Sequence, residues 1–170
     1  HPEALAVEAT RLGLDALALC DRDGLYGIIR FAEAARSLHL PTVIGTELTL
    51  SRDRGSEHAN RIVVLADGPS GYSGLSRALS LGLLAGSKGA PRHDLNVVAE
   101  HVKGLSWVLT GDGTGVVPAT LCAQGPRAAR RELDRLIDLF GRDRVVVERW
   151  DHGDPLDHHR NDAMVEIAHR

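Results

Sequence analysis

Several acidic or histidine side chains lie in, or within a few residues after, short apolar runs of the sequence, and five of them are candidates for chemistry. They are Asp21, Asp23, Glu47, Asp151 and His152. Carboxylates and imidazoles are the groups with which proteins hold divalent cations and transfer protons. Asp21 and Asp23 share a turn after a buried-type run, where two carboxylates could bind a metal or position a base. The alternative is a structural role, in which an Asp caps the following helix and Gly24 forms the turn. On the residue types alone, this structural interpretation is favoured.

Three other features are weaker candidates for a functional site. His158 and His159 lie near His152 in the sequence, but adjacent residues direct their side chains differently, so we do not expect a metal cluster there. Residues 111–115 are rich in glycine but lack the Lys and Ser/Thr of a phosphate-binding P-loop. Cys20 ends an apolar run beside two acids, which raise the pKa of a thiol, so we do not expect a nucleophile.

Apolar runs typical of buried strands alternate with segments of helical periodicity. The sequence predicts strands at residues 16–20, 42–50, 61–66, 105–110 and 144–148, helices at 2–12, 25–35, 71–84, 126–140 and from 161, and loops at 51–60, 86–92 and 111–115. This alternation predicts an α/β domain over residues 1–170, with right-handed βαβ units and a parallel sheet that is doubly wound or closed as a barrel. In both architectures the functional side chains lie at the carboxyl ends of the strands, where the five residues above fall.

The composition argues against several classes of protein. A formal net charge of -3 gives no basic face for nucleic acid, which binds through neutralised phosphates. Two cysteines are too few for a disulfide framework or a thiolate zinc site and favour a reduced, cytoplasmic compartment. No run of 18 apolar residues predicts a membrane span.

Several sequence motifs match one known family in the same order. Residues 20–27 read C-D-R-D-G-L-Y-G and resemble the T-D-H-D-G-L-Y-G motif of the PHP (polymerase and histidinol phosphatase) domain of bacterial DNA polymerase III alpha subunits. Residues 45–50 resemble its G-[AT]-E-L-T-L strand, and residues 64–76 its V-L-A and G-Y-x-x-L-S segments. Residues 148–157 resemble E-L-x-x-H-G-x-P-L-D. The opening H-P-E-A-L and the L-S-R-A segment are closest to the error-prone, translesion branch.

The resemblance implies a distorted (β/α) barrel whose strand ends hold up to three metal ions. Of the implied ligands, Glu47 and His152 are retained, whereas Arg22 stands at one His position and Arg61 at another. His58 lies three residues before Arg61 and is the nearest histidine. A guanidinium stays protonated and offers no lone pair to a metal, so the resemblance implies a degenerate metal site.

The resemblance also places some ligands outside the sequence. The family's opening H-x-H pair would precede His1, and its final Asp and His would follow Arg170. We therefore expect an incomplete barrel, truncated at both ends. Of the residues present, Asp21, Asp23 and His58 remain further positions of the degenerate site.

The resemblance implies an N-terminal segment of an error-prone DNA polymerase that acts in DNA replication and damage-induced translesion synthesis. It implies Mg²⁺ for the parent enzyme, and the remaining polymerase chain, DNA and other translesion-synthesis proteins as partners. Two alternatives remain open: an active metal-dependent phosphoesterase, such as a 3′–5′ exonuclease or pyrophosphatase with zinc or manganese, and a free-standing enzyme like histidinol phosphatase.

Overall fold

The computed structural model of the chain describes residues 1–50, 61–112 and 114–169. The strands in these ranges are β1 (Leu17–Arg22), β2 (Thr42–Thr49), β3 (Arg61–Ala66), β4 (Ser106–Leu109) and β5 (Val145–Val146). The helices are α1 (Pro2–Arg11), α2 (Ile28–Ser37), α3 (Gly68–Ala85), α4 (Leu95–Val102), α5 (Val116–Gln124), α6 (Pro126–Phe140) and α7 (Asp157–His169). The predicted α/β class and the positions of all five predicted strands are confirmed, whereas the predicted loop at 51–60 lies outside the described residues.

The five strands form one sheet in the order β1-β2-β3-β4-β5. β1 and β2 are parallel, as are β4 and β5, but β3 runs antiparallel to both of its neighbours. The prediction of a wholly parallel sheet is therefore wrong at β3. Only residues 50–60 join β2 to β3, and a parallel crossover needs a dozen or more residues, usually with a helix, so this short connection reverses the strand direction.

Two helices, α4 and α5, were not predicted. α4 has a clear start signal, because the Asp94 side chain accepts hydrogen bonds from the backbone N–H groups of Asn96 and Val97. Its buried positions, Leu95, Val98, Ala99 and Val102, also follow helical spacing. α5 is nearly uniform in hydrophobicity and contains Pro118, so its sequence gives little helical periodicity.

The two faces of the sheet differ in how they are covered. One face carries Leu48, Ile62, Val64 and Val108, which are fully buried against helices and belong to the main core. A smaller cluster, which includes Phe31 of α2, joins α1 to α2.

The opposite face of the sheet is partly open to solvent, and we call it the open face. One row of paired residues crosses it from Cys20 through Gly45 and Leu65 to Trp107. Trp107 is 40% exposed. Gly45 is required in this row, since a Cβ there would lie 2.7 Å from the Cys20 sulfur and 2.6 Å from Leu65. Among the described residues, β1 and β5 are the edge strands of the sheet.

Candidate functional site

Three of the predicted site residues meet at one end of the open face. Arg22 is the last residue of β1 and pairs in register with Glu47 of β2. Glu47 in turn lies opposite Val63, and Arg61 is two residues before Val63 in β3. Because side chains alternate along a strand, all three point to the same face of the sheet.

Arginine side chains contact both carboxylate oxygens of Glu47. Arg22 Nε donates a hydrogen bond to Oε2 at 2.9 Å, and Arg61 Nη1 lies 3.5 Å from Oε1. The Arg22 side chain is 60% exposed, whereas those of Glu47 and Arg61 are 24% and 20% exposed. We call this arrangement the arginine–glutamate triad.

The triad extends to the loop after β4. Arg61 Nη1 also lies 3.5 Å from Thr114 Oγ1, and Thr114 donates to Asp112 Oδ1 from its backbone N–H at 3.0 Å and its hydroxyl at 2.9 Å. The Thr114 backbone N–H is the largest cause that lowers the pKa of Asp112, and the nearby charges of His152 and Arg61 add to it, against the opposing effect of burial. His152 is thus part of the electrostatic environment of the site, although its residue is exposed.

Glu148, which the sequence motifs did not identify as a site residue, also belongs to this cluster. Burial raises its pKa, the charge of Asp112 raises it further, and a hydrogen bond from the Gly111 backbone lowers it. Its Oε2 is buried without a hydrogen-bond partner among the described residues. Its position directly after the β5 run, at the carboxyl end of a strand, was the available signal.

The predicted rise in the pKa of Cys20 is confirmed. Although part of this residue reaches solvent, desolvation of the thiol raises its pKa to about 11, and the charges of Glu148, Asp21 and Glu47 contribute. At neutral pH the thiol is therefore protonated and a poor nucleophile.

Asp21 and Asp23 hold the backbone of the turn between β1 and α2. Asp21 Oδ2 accepts a hydrogen bond of 2.7 Å from the N–H of Gly27, the N-cap of α2. Asp23, in a left-handed conformation with φ of 51°, accepts bonds of 2.7 and 2.8 Å from the backbone N–H and hydroxyl of Thr49. These bonds support the interpretation in which both acids serve the local structure.

A second residue missed by sequence analysis is His93, whose side chain is wholly buried. Its Nε2 lies 3.3 Å from Asp23 Oδ1, but neither ring nitrogen has a hydrogen-bond partner among the described residues. Burial lowers the pKa of His93, and the nearby Asp23 opposes that shift. The ring lies against Gly82 of α3, where a Cβ would come within 2.0 Å of Nδ1. The sequence around His93 carries no motif that identifies it.

The positions expected to bind a metal lie only partly within the described residues. His58 lies outside them. Within residues 1–50, 61–112 and 114–169, no group of three or more His, Cys, Asp or Glu side chains is placed to hold a metal ion. His158 and His159 are exposed near the start of α7. No helix of the same ranges is long and apolar enough to span a bilayer.

Comparisons with known proteins agree on one family. Residues 1–152 match the family described as "PHP domain". The chain is 47% identical over 174 residues to an error-prone DNA polymerase of Mycobacterium tuberculosis. The aligned region covers 99% of this chain and 16% of that protein. It is 44% identical over 177 residues to an error-prone DNA polymerase of Cutibacterium acnes, again over 16% of its length. The chain therefore spans about one sixth of these relatives.

A solved structure also resembles the fold. It is a Bifidobacterium adolescentis protein provisionally described as a metal-dependent phosphoesterase. The match has a TM-score of 0.62 at 19% identity and covers 99% of this chain and 78% of that one. At this identity the similarity concerns the fold alone, and it agrees with the predicted PHP-type distorted barrel.

Proposed function

The chain belongs to the PHP domain family, as its motifs predicted, and we propose that it is a structural segment of an error-prone DNA polymerase of the polymerase III alpha type. The identity of 47% over nearly the whole chain to such a polymerase supports this assignment. Because the chain spans 16% of that relative, we assign nucleotide transfer and its Mg²⁺ to other parts of the parent. The parent would act on DNA in the cytoplasm, in replication and damage-induced translesion synthesis, alongside other translesion-synthesis proteins.

A structural role is supported by the ion pairs that both carboxylate oxygens of Glu47 form with guanidinium groups. A divalent cation at this carboxylate would lie close to the fixed positive charges of Arg22 and Arg61. Two unit charges 4 Å apart interact by about 4 kcal/mol at an effective dielectric constant of about 20, and a divalent ion doubles that repulsion for each arginine. The residues present therefore do not fit the metal that the family implies.

Within residues 1–170, the retained ligands alone do not complete a metal site, and the further ligands that the family implies would lie outside this sequence. A catalytic zinc site normally has three protein ligands, and the retained pair, Glu47 and His152, supplies two. Asp21 and Asp23 are committed to the backbone of their turn. We propose that the triad replaces the metal as the link between β1, β2 and β3.

The remaining polymerase chain is the partner that we propose for the open face. Apolar residues such as Leu65 and Trp107 lie there without a covering layer among the described residues, and the strands at both edges have unpaired backbone groups. A partly open apolar face of this kind would be buried against further segments of the same parent. Residues 1–170 would then form one PHP-like domain whose barrel these segments complete.

Metal analysis of the purified parent tests the structural role. We expect no stoichiometric zinc or manganese after dialysis, and no phosphoester hydrolysis that Glu47→Ala abolishes. Glu33→Ala, at an exposed position of α2, is the matched control. Retained metal together with Glu47-dependent hydrolysis would favour the active phosphoesterase or the histidinol-phosphatase-like enzyme instead.

The reverse change gives a second, positive test. Arg22→His combined with Arg61→His removes both guanidinium groups and restores imidazole ligands. We expect this double variant of the parent to bind zinc or manganese more tightly than the unchanged protein. Equal affinity in the two proteins, measured by titration, would show that the arginines are not what excludes the metal.

A further inference from the structure

A recess of about 480 Å³ lies between the start of α6 and the end of α7. It is lined by Pro126, Arg127, Arg130, Arg131, Glu166 and Ile167. None of these residues belongs to the triad or to the Asp112 loop.

Of the three arginines, Arg130 has a structural role. Its Nη1 donates to the Ile167 carbonyl at 2.6 Å, and its guanidinium pairs with Asp134 at 2.8 Å. Arg130 thus links α6 to α7, and Asp134 of the same helix neutralises its charge. Its position fixes one wall of the recess.

Arg127 and Arg131 have no comparable explanation. Both are exposed, and neither forms an ion pair within the part of the chain that the structure describes. They lie four residues apart on one helix, where like charges repel each other. Arg127 also lies in the first turn of α6, which contains no acidic residue, and the helix dipole disfavours a cation there. This arrangement costs stability, and a negatively charged ligand in the recess would offset the cost.

We propose that the recess binds a phosphate group through Arg127 and Arg131. The guanidinium fork matches phosphate geometry and donates two hydrogen bonds to one group. Glu166 on the opposite wall would repel an anion, so the phosphate lies on the α6 side. The choice of phosphate over other anions rests on the proposed polymerase parentage. The phosphate could belong to the backbone of single-stranded DNA or to a free phosphate such as pyrophosphate.

Fluorescence anisotropy of the 170-residue chain with a labelled single-stranded oligonucleotide of about 12 nucleotides tests the proposal, at a chain concentration where light scattering shows a monomer. Arg127→Gln combined with Arg131→Gln should weaken binding at least about 10-fold and reduce the salt slope of log K by about 1.4, since each phosphate contact on single strands contributes about 0.7. Arg36→Gln with Arg77→Gln, at exposed arginines of α2 and α3 that form no ion pair among the described residues, gives the same charge change and should leave affinity nearly unchanged. Circular dichroism confirms that each variant is folded.

Competition separates the two sources of phosphate. If pyrophosphate binds at the two arginines and the oligonucleotide does not, the proposal holds with free phosphate as the ligand. Arg127→Lys combined with Arg131→Lys keeps the charge, and it should keep the salt slope while binding more weakly. If the glutamine variants fail to fold, the comparison of this double lysine variant with the unchanged chain tests the proposal instead.

Three results would overturn the proposal. They are unchanged binding in the glutamine variant, an equal loss in the control variant, and binding of a polyglutamate peptide as tight as that of the oligonucleotide. None of them affects the proposed parentage, which rests on the sequence identity to error-prone DNA polymerases and is tested separately by primer extension with the full-length parent.

Discussion

Removal of Arg61 should destabilise the chain more than removal of Arg22, although Arg22 makes the shorter contact to Glu47. Arg22 Nε lies 2.9 Å from the carboxylate, but 60% of its side chain is exposed, so water screens the pair. The contact of Arg61 is 3.5 Å, yet its side chain is only 20% exposed. Exposure rather than distance decides the magnitude here, because exposed ion pairs contribute about 0–1 kcal/mol and stranded buried polar groups cost about 1–3 kcal/mol.

We expect Arg22→Ala to lower the free energy of unfolding by about 0.5–1 kcal/mol and Arg61→Ala by about 2 kcal/mol. For a domain of this size, about 2 kcal/mol corresponds to a decrease in Tm of about 4–8 °C. Urea unfolding of the chain measures both changes, and Arg36→Ala on α2 is the exposed control. Substitution of Glu47 by Gln removes the charge that Arg61 neutralises. In that background Arg61→Ala should therefore cost at least about 0.5 kcal/mol less.

The reasoning would be refuted if Arg22→Ala cost as much as Arg61→Ala. It would also be refuted if the cost of Arg61→Ala were the same with Glu or Gln at position 47. In the first case exposure would not control the strength of the pairs, and in the second the triad would not be an energetic unit.

Three further predictions concern the parent, the open face and the buried histidine. Primer extension by the full-length parent should persist after Glu47→Ala, and its complete loss in a folded variant would contradict the structural role. The 170-residue chain should be marginally stable or self-associate through its open face, and light scattering should show less association after Trp107→Lys, whereas a monomer with a sharp, high thermal transition would argue against this. Burial keeps the pKa of His93 below its usual value, so the unfolded chain takes up a proton that the folded chain does not. Stability should therefore be complete above about pH 6.5 and decrease as the pH falls below it, and His93→Phe should flatten this dependence in urea unfolding.

Much of the fold could be predicted because each strand is identified by a short apolar run of its own residues. The runs at residues 61–66 and 16–20 are apolar and short, and both form strands where expected. The direction of β3 was not predicted because strand periodicity carries no information about orientation. The short connection before β3 did contain that information, since it leaves no room for a crossover helix.

The candidate site was predictable in part for a similar reason. Arg22, Glu47 and Arg61 could be placed together because the motifs carry them to the ends of neighbouring strands, and the structure pairs them. His93 could not be found in this way. It reaches Asp23 through the packing of α3 and the loop before α4, and no local pattern encodes a contact between residues 70 positions apart.

The proposed replacement of a metal by the triad need not disrupt this end of the sheet. A divalent cation and a pair of guanidinium groups both bring two positive charges to the carboxylates at the strand ends, so the electrostatic balance around Glu47 is similar. The arginines differ in that their charges are covalently fixed to β1 and β3, and they offer no lone pair or exchangeable water for a reaction. One arginine alone would repel the cation without replacing its second charge, whereas two replace it fully. We therefore infer that Arg22 and Arg61 act as a unit, and that either single reversion to His leaves a site which neither holds metal nor pairs Glu47 on both oxygens.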